Sequence, residues 1–217
     1  LIIACSDGAG TASHADVGAK VACEVAIDQI SCFLEINKSL MPADRNVAMG
    51  WLNAVRDRLY LEADILGVEV RQLACTLLLA ILGTDRSLFA QIGDGAIVTL
   101  DSATEYGKVQ PIFWPQNGEY ANTTYFVTDA KLNELAMFDH RESSPDGVAA
   151  FTDGVQILAL DYVSKCAHGP FFEPFFRQLR ETLDPADLDV PFRQFLNSNP
   201  VNERTDDDKT FVIAVRT

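Results

Sequence analysis

Phe151-Thr152-Asp153-Gly154 is the stretch around which the chain is read. It closes an apolar run that begins at Gly147, and it sets a carboxylate and a glycine where that run stops. Two other places share this pattern. Leu1 to Cys5 is apolar and runs into Ser6-Asp7-Gly8-Ala9-Gly10, and Asp206-Asp207-Asp208-Lys209-Thr210 runs into the apolar stretch Phe211 to Val215. A carboxylate at the end of a buried strand, beside glycine or a polar turn, is how a β-scaffold aims charge into one cleft. Asp-Gly taken singly is ordinary turn chemistry. Three such turns, each flanking a run that reads as a buried strand, point to a carboxylate metal site that the fold assembles from them.

The composition bounds what such a site serves. At 217 residues the chain suits one domain, and 48% hydrophobic with 22% charged residues are ordinary globular values. A net charge of −14 argues against nucleic acid and against an anionic membrane as partners, because phosphates are repelled over most of the surface. The same charge suits cation binding. No apolar run reaches the roughly 18 residues that span a bilayer. The cysteines are Cys5, Cys23, Cys32, Cys75 and Cys166; their number is odd and no pair is spaced CxxC. That predicts free thiols in a reducing cytoplasm rather than a disulfide framework or a zinc site. The chain opens on Leu1-Ile2-Ile3-Ala4 with no initiator Met, so a longer protein is expected upstream.

Periodicity supplies the elements. A helix is predicted from Asp16, as its cap, to about Leu34, with Val17, Val21, Ala22, Val25 and Ile30 on its apolar side. A second is predicted from Pro42 and Asp44 to about Ile65, with Val47, Trp51, Leu52, Val55 and Leu59 as its stripe and Gly67 as its stop. The pattern then becomes β: Leu73 to Leu82, a turn at Thr84-Asp85-Arg86, Ser87 to Ile92, a tight turn at Gly93-Asp94-Gly95, Ala96 to Leu100, and Val109 to Trp114 continuing the meander. Pro115-Gln116-Asn117-Gly118 is a turn signal. Short strands follow at Tyr125 to Val127 and Ala136 to Phe138, with a short helix between them, then Val148 to Phe151. Helical spacing returns over Val155 to Leu160, Phe171 to Leu183 and Phe192 to Leu196, and Thr210 to Arg216 closes the chain as a strand. This order predicts an α+β fold with stacked antiparallel sheets and helices outside them.

These residues resemble the type 2C, metal-dependent (PPM) protein serine/threonine phosphatases, in their compact bacterial branch. Ser6-Asp7-Gly8-Ala9-Gly10 resembles the family's first Asp-Gly-x-Gly motif, and Ala74-Cys75-Thr76 its Gly-Ser/Cys-Thr strand. Ile92-Gly93-Asp94-Gly95 resembles its Gly-Asp-Ser/Gly turn. Phe151-Thr152-Asp153-Gly154 matches its Ser/Thr-Asp-Gly motif, and Asp207-Asp208-Lys209-Thr210 its Asp-Asn/Asp-x-Thr motif. The resemblance covers nearly the whole chain in order. It implies a single domain with a central sandwich of two antiparallel β-sheets flanked by helix pairs. It implies Mg²⁺ or Mn²⁺, two ions and in some members three. Asp7 would bridge two metals, the Gly8 carbonyl would complete one shell, Asp153 and Asp207 would bind the second metal, and Asp94 would share a weaker third with Asp153. The implied reaction is hydrolysis of phosphoserine and phosphothreonine in proteins by a water held between two metals, opposing a serine/threonine kinase.

The chain departs from the family in two ways. No acidic residue precedes Asp7 and the first arginine is Arg45, so an acidic metal ligand and a phosphate-gripping arginine are expected upstream, where the family's extra strand lies. Asp208 replaces the usual Asn. If the missing groups come from within, Arg45, Arg141 and Lys209 are the candidates. Oxygen donors select Mg²⁺ or Mn²⁺ over zinc or copper, and no His/Cys cluster competes. His14 is the histidine nearest a site residue, whereas His140 and His168 read as structural. Cys75 and Thr76 read as core strand residues, and Asp161 as a solvated helix position. Asp184, Asp187 and Asp189 read as a solvated loop. Two other functions fit the sequence: a non-catalytic module that binds phosphorylated partners, and a phosphatase of small molecules on the same scaffold.

Overall fold

The computed structural model describes residues 1–101, 108–117 and 124–216. In chain order, β1 (Ile2–Cys5), α1 (Ala15–Asn37) and α2 (Arg45–Leu66) precede β2 (Leu77–Leu82), β3 (Ser87–Ile92), β4 (Ala96–Asp101) and β5 (Lys108–Pro111). There follow α3 (Leu132–Leu135), β6 (Met137–Arg141), β7 (Gly147–Phe151) and α4 (Asp153–Ala159). The short strands β8 (Leu160–Asp161) and β9 (Cys166–Ala167) lead to α5 (Gly169–Glu181), α6 (Asp189–Leu196), α7 (Asn199–Asn202) and β10 (Phe211–Val215). The class is α+β, as the element order predicts, and every strand pair is antiparallel.

The chain divides into two compact units, Leu1–Gly95 with Pro115–Ser144, and Ala96–Trp114 with Pro145–Thr217. The first holds the sheet β1-β2-β3-β6 and the helix pair α1–α2. The continuous apolar run of β2 reflects its place inside this sheet, where neither face meets water. Helix α1 buries Ala22, Ala26 and Ile30 at successive turns, and α2 buries Ala48, Leu52, Val55 and Leu59. Asp44 caps α2 by accepting the Val47 N–H at 3.0 Å, and Gly67 ends it in the left-handed region.

The second unit holds the sheet β10-β7-β4-β5, with α5 against β10 and β5. Its core is aromatic. Phe171, Phe172, Phe175 and Phe176 project from α5, and Phe211 of β10 lies 5.1 Å from the Phe175 ring and 5.8 Å from Phe171. Phe151, at the end of β7, is fully buried against Phe172 and Phe211. Each such ring contributes up to about 3 kcal/mol by leaving water. This layer therefore fixes the end of β7 that leads into Asp153 and the start of β10 that follows Asp207.

Several expectations shift. Helix α1 starts at Ala15 with His14 at the cap position, so Asp16 lies in the first turn, where its charge favours the helix dipole. The Leu73 to Leu82 run splits: Val70–Leu73 is a 3₁₀ turn and the strand begins at Leu77. The meander does not continue through Gly93-Asp94-Gly95. β3 pairs with β2 and β6, whereas β4 pairs with β7 and β5, so this turn carries the chain from one sheet to the other. Tyr125 to Val127 is not a strand; the Val127 N–H reaches the Cys75 carbonyl, while Phe126 bonds into the turn at Asp129. Asp161 sits in the β8–β9 hairpin, not on a helix. Of the turn signal at residues 115–118, Gly118 lies outside the described residues.

Candidate active site

In the second unit the Thr-Asp-Gly stretch acts as a latch. Thr152 N–H donates to the Thr210 carbonyl at 3.1 Å, and the Thr152 hydroxyl oxygen accepts the Thr210 N–H at 3.1 Å. Two bonds between the residues just past β7 and just before β10 bring the turn at Asp206 to Asp208 beside Asp153. Gly154 is required there by close approach. A Cβ on it would stand 2.1 Å from the Asp208 carbonyl oxygen, inside any allowed contact. Asp153, Gly154 and Asp207 consequently line one cavity of about 390 Å³, with Gln156, Ile157, Tyr162, Arg204, Thr205 and Asp206.

Asp153 is half-buried, and its Oδ1 is buried with no hydrogen-bond partner. A carboxylate oxygen withdrawn from water and left unpaired is costly unless a cation meets it. Asp207 is exposed; its Oδ1 accepts the Asp208 N–H at 2.8 Å, and the Lys209 ammonium donates to its carbonyl at 3.0 Å. The orphaned Asp153 oxygen and the neighbouring carboxylate form a hard-oxygen donor set suited to a divalent cation such as Mg²⁺ or Mn²⁺.

In the first unit Thr76 organises the other two sequence-predicted turns. Asp7 N–H donates to Thr76 Oγ1 at 3.0 Å, the Thr76 N–H donates to the Asp7 carbonyl at 2.8 Å, and the Ser6 hydroxyl donates to the Thr76 carbonyl. Gly8 forms a β-bridge with Cys75, and the Ala9 N–H reaches the Ala74 carbonyl at 2.9 Å. The Asp7 loop thus prolongs the pairing of β1 with the β2 side. Gly93 has φ +110°, and a Cβ on it would stand 2.4 Å from Thr76 Cγ2, so the Asp94 turn closes on the same residue. The Gln91 amide donates to the Gly93 and Gly95 carbonyls at 3.2 and 2.8 Å, and Gln116 Oε1 accepts the Gly93 N–H at 2.7 Å. These bonds anchor both glycines of the turn to Gln91 and Gln116, and the chain leaves the turn for the other sheet.

Asp7 and Asp94 belong to the first unit, and Asp153 and Asp207 to the second. Within neither unit, among the described residues, do three or more His, Cys, Asp or Glu side chains gather as a metal-holding group.

The remaining candidates have structural work. Arg45 donates to the Asn133 and Ala136 carbonyls, and Arg141 pairs with Asp139 at 3.3 Å and stands over the Phe89 ring. His14 shares a contact between Nδ1 and the Ser13 hydroxyl at 2.9 Å, and His140 stacks on Phe138. All five cysteines are free. Burial pushes the Cys75 thiol up to about 12 and the Cys23 thiol up to about 11, and it raises Cys5 further. Cys5 and Cys75 stay protonated and serve as packing, not as nucleophiles. Sequence reasoning missed Arg204, which shares the cavity of Asp153 and Asp207. Its position two residues before the acidic turn that opens at Asp206 was the available signal.

Comparison with known proteins fits this geometry. The family model for protein phosphatase 2C matches residues 1–197. Serine/threonine-protein phosphatase 3 of Escherichia coli (strain K12) is 38% identical over 219 aligned positions, covering 99% of this chain and 83% of that protein. Among solved structures, serine/threonine phosphatase Stp1 from Staphylococcus aureus aligns over 100% of this chain and 84% of its own, at 15% identity and a TM-score of 0.60. The catalytic domain of the serine/threonine phosphatase PstP, solved with 2 manganese ions, aligns over 98% and 85%, at 13% identity and a TM-score of 0.60. These likenesses carry the fold, and no helix among the described residues is long and apolar enough to cross a membrane. With a family model spanning most of its length and a relative sharing more than a third of its residues, this chain belongs to the protein phosphatase 2C family.

Proposed function

We propose that the protein hydrolyses phosphoserine and phosphothreonine in protein substrates with the help of bound Mg²⁺ or Mn²⁺, and so opposes a serine/threonine kinase. The observation that carries this reading is the buried, unpartnered Oδ1 of Asp153 in the cavity it shares with Asp207. Asp7, the Gly8 carbonyl, Asp153 and Asp207 are the residues proposed to hold two ions, with Asp94 assisting a third. Divalent cations bound at such oxygens supply charge neutralisation to a phosphoryl group and make water acidic enough to act near neutral pH.

The chain's own part is positioning. The Thr152–Thr210 latch and the aromatic layer beneath it hold Asp153 and Asp207 in fixed relation, so no reorganisation is needed when the substrate arrives. The Thr76 contacts do the same for the Asp7 loop. The acidic surface leaves a phosphoprotein little attraction elsewhere on the molecule. The buried, unpaired thiols of Cys5 and Cys75 support a reducing, cytoplasmic setting.

The test is hydrolysis of a phosphothreonine peptide and of p-nitrophenyl phosphate, side by side, with Mg²⁺, with Mn²⁺ and with excess chelator. Release of phosphate from the peptide that depends on added cation is the expected result. A protein that turns over only the small ester, or that is fully active in chelator, contradicts the proposal.

A further inference from the structure

The cavity that Asp153 and Asp207 share has a second character. Ile157 and Tyr162, 58% and 52% exposed, also line it. Apolar side chains this open are ordinary when isolated, but these two stand at a site already proposed for substrate. The tyrosine is held in place. Its ring meets Trp114 edge-on at 5.3 Å between centroids, and its hydroxyl donates to Gln156 Oε1. The hairpin bearing it is closed by Asp161, which accepts the Val163 and Ser164 N–H groups at 2.9 and 3.2 Å. An aromatic surface fixed on a built hairpin loses little entropy on contact with a ligand.

Arg204 is the cation of this cavity. Asp153, Asp206 and Asp207 line the same space, yet among the described residues Arg204 forms an ion pair with none of them. The acidic turn has a cation of its own, since Lys209 donates to the Asp207 carbonyl. Arg204 therefore meets an incoming anion without giving up an existing partner, and its planar fork matches a carboxylate.

Resting on the phosphatase reading above, we propose that this cavity is a specificity subsite for the residue next to the phosphorylated serine or threonine. It takes an acidic side chain, whose carboxylate pairs with Arg204 while its stem packs on Tyr162 and Ile157. Arg204 is a specificity residue and carries no step of hydrolysis.

The experiment compares kcat/KM for phosphothreonine peptides that differ only in Glu, Gln or Lys at one of the two positions beside the phosphothreonine. Each comparison is a ratio within one enzyme preparation, so the fraction folded cancels. For the unaltered protein, Glu is expected to exceed Gln by about two- to fivefold at one position, the range of an exposed ion pair, and mainly through KM. Arg204→Ala brings that ratio to about one, Arg204→Lys retains part of it, and Arg204→Glu turns the preference towards Lys. Equal use of Glu and Gln peptides by the unaltered protein, or a preference that survives Arg204→Ala, overturns the subsite while leaving the phosphatase reading intact. If none of the peptides is hydrolysed although cation is present, the phosphatase reading fails and the subsite falls with it.

Discussion

Asp153 and Gly154 are adjacent, yet their substitution has opposite consequences. Asp153→Ala removes an oxygen that is buried without a partner, so little folding energy is lost. Its melting temperature without metal is expected within about 3 °C of the parent, while phosphatase turnover falls by more than about a hundredfold. Thermal melts and a phosphopeptide assay check both; near-normal turnover at saturating metal would remove Asp153 from the ligands. Gly154→Ala forces a Cβ against the Asp208 carbonyl, and backbone must move. A loss of about 2 kcal/mol or more is expected in urea unfolding, and a variant as stable as the parent would mean the turn yields freely. The Thr-Asp-Gly stretch was legible because an apolar run stops there at a carboxylate and a glycine, although its latch to Thr210 and its contact with Asp208 appear only in the fold. Arg204 was not legible in the same way. A surface arginine acquires meaning only from what folds beside it, and here that is Asp153, some fifty residues earlier.

Among the elements, the ends of β7 and β10 matter most to the site. Thr152→Val keeps the shape of the side chain and deletes the acceptor for the Thr210 N–H. The expected cost is about 1–2 kcal/mol. Faster hydrogen exchange at Thr210 and a lower kcat should accompany it, since Asp207 loses its registration to Asp153. Exchange at Thr210 unchanged from the parent would show that the β7–β10 ladder alone holds the turn. Strand and helix positions were readable where burial and period agreed, as in β3, β7 and α2. They were misread where side chains took over backbone bonding. Gln91 and Gln116 satisfy the Gly93 to Gly95 turn, which looks like a hairpin in sequence but leads to another sheet. The run Leu73 to Leu82 reads as one strand, yet Leu73 ends a 3₁₀ turn and β2 begins only at Leu77. Periodicity does not separate such short apolar runs.

For the whole molecule, stability should depend on alkaline pH through its buried thiols. Burial raises Cys5 and Cys75 above the ordinary value of 9.0, so the native state keeps protons that the unfolded chain gives up. The contribution is complete below pH 9 and fades as pH rises towards about 12, where Cys75 itself ionises. Each thiol contributes a slope of up to about 1.4 kcal/mol per pH unit in that window. Between pH 8 and 10 the parent is expected to lose urea resistance faster than Cys75→Ala does, and parallel losses would refute the assignment. The α+β class and the order of the carboxylate turns were legible across the full length, since both follow from where apolar runs stop. What sequence could not supply was the depth of each carboxylate: Asp153 Oδ1 is buried while Asp207 is exposed, although both sit in similar acidic turns. That oxygen is also the point on which the account rests, and calorimetric titration of Mn²⁺ into the metal-free protein, with Asp153→Asn and Asp207→Asn alongside, tests it most directly. The account requires that the unaltered protein bind Mn²⁺ and gain thermal stability from it, and that each variant bind at least about tenfold more weakly. Equal affinity and equal stabilisation in all three proteins would contradict it.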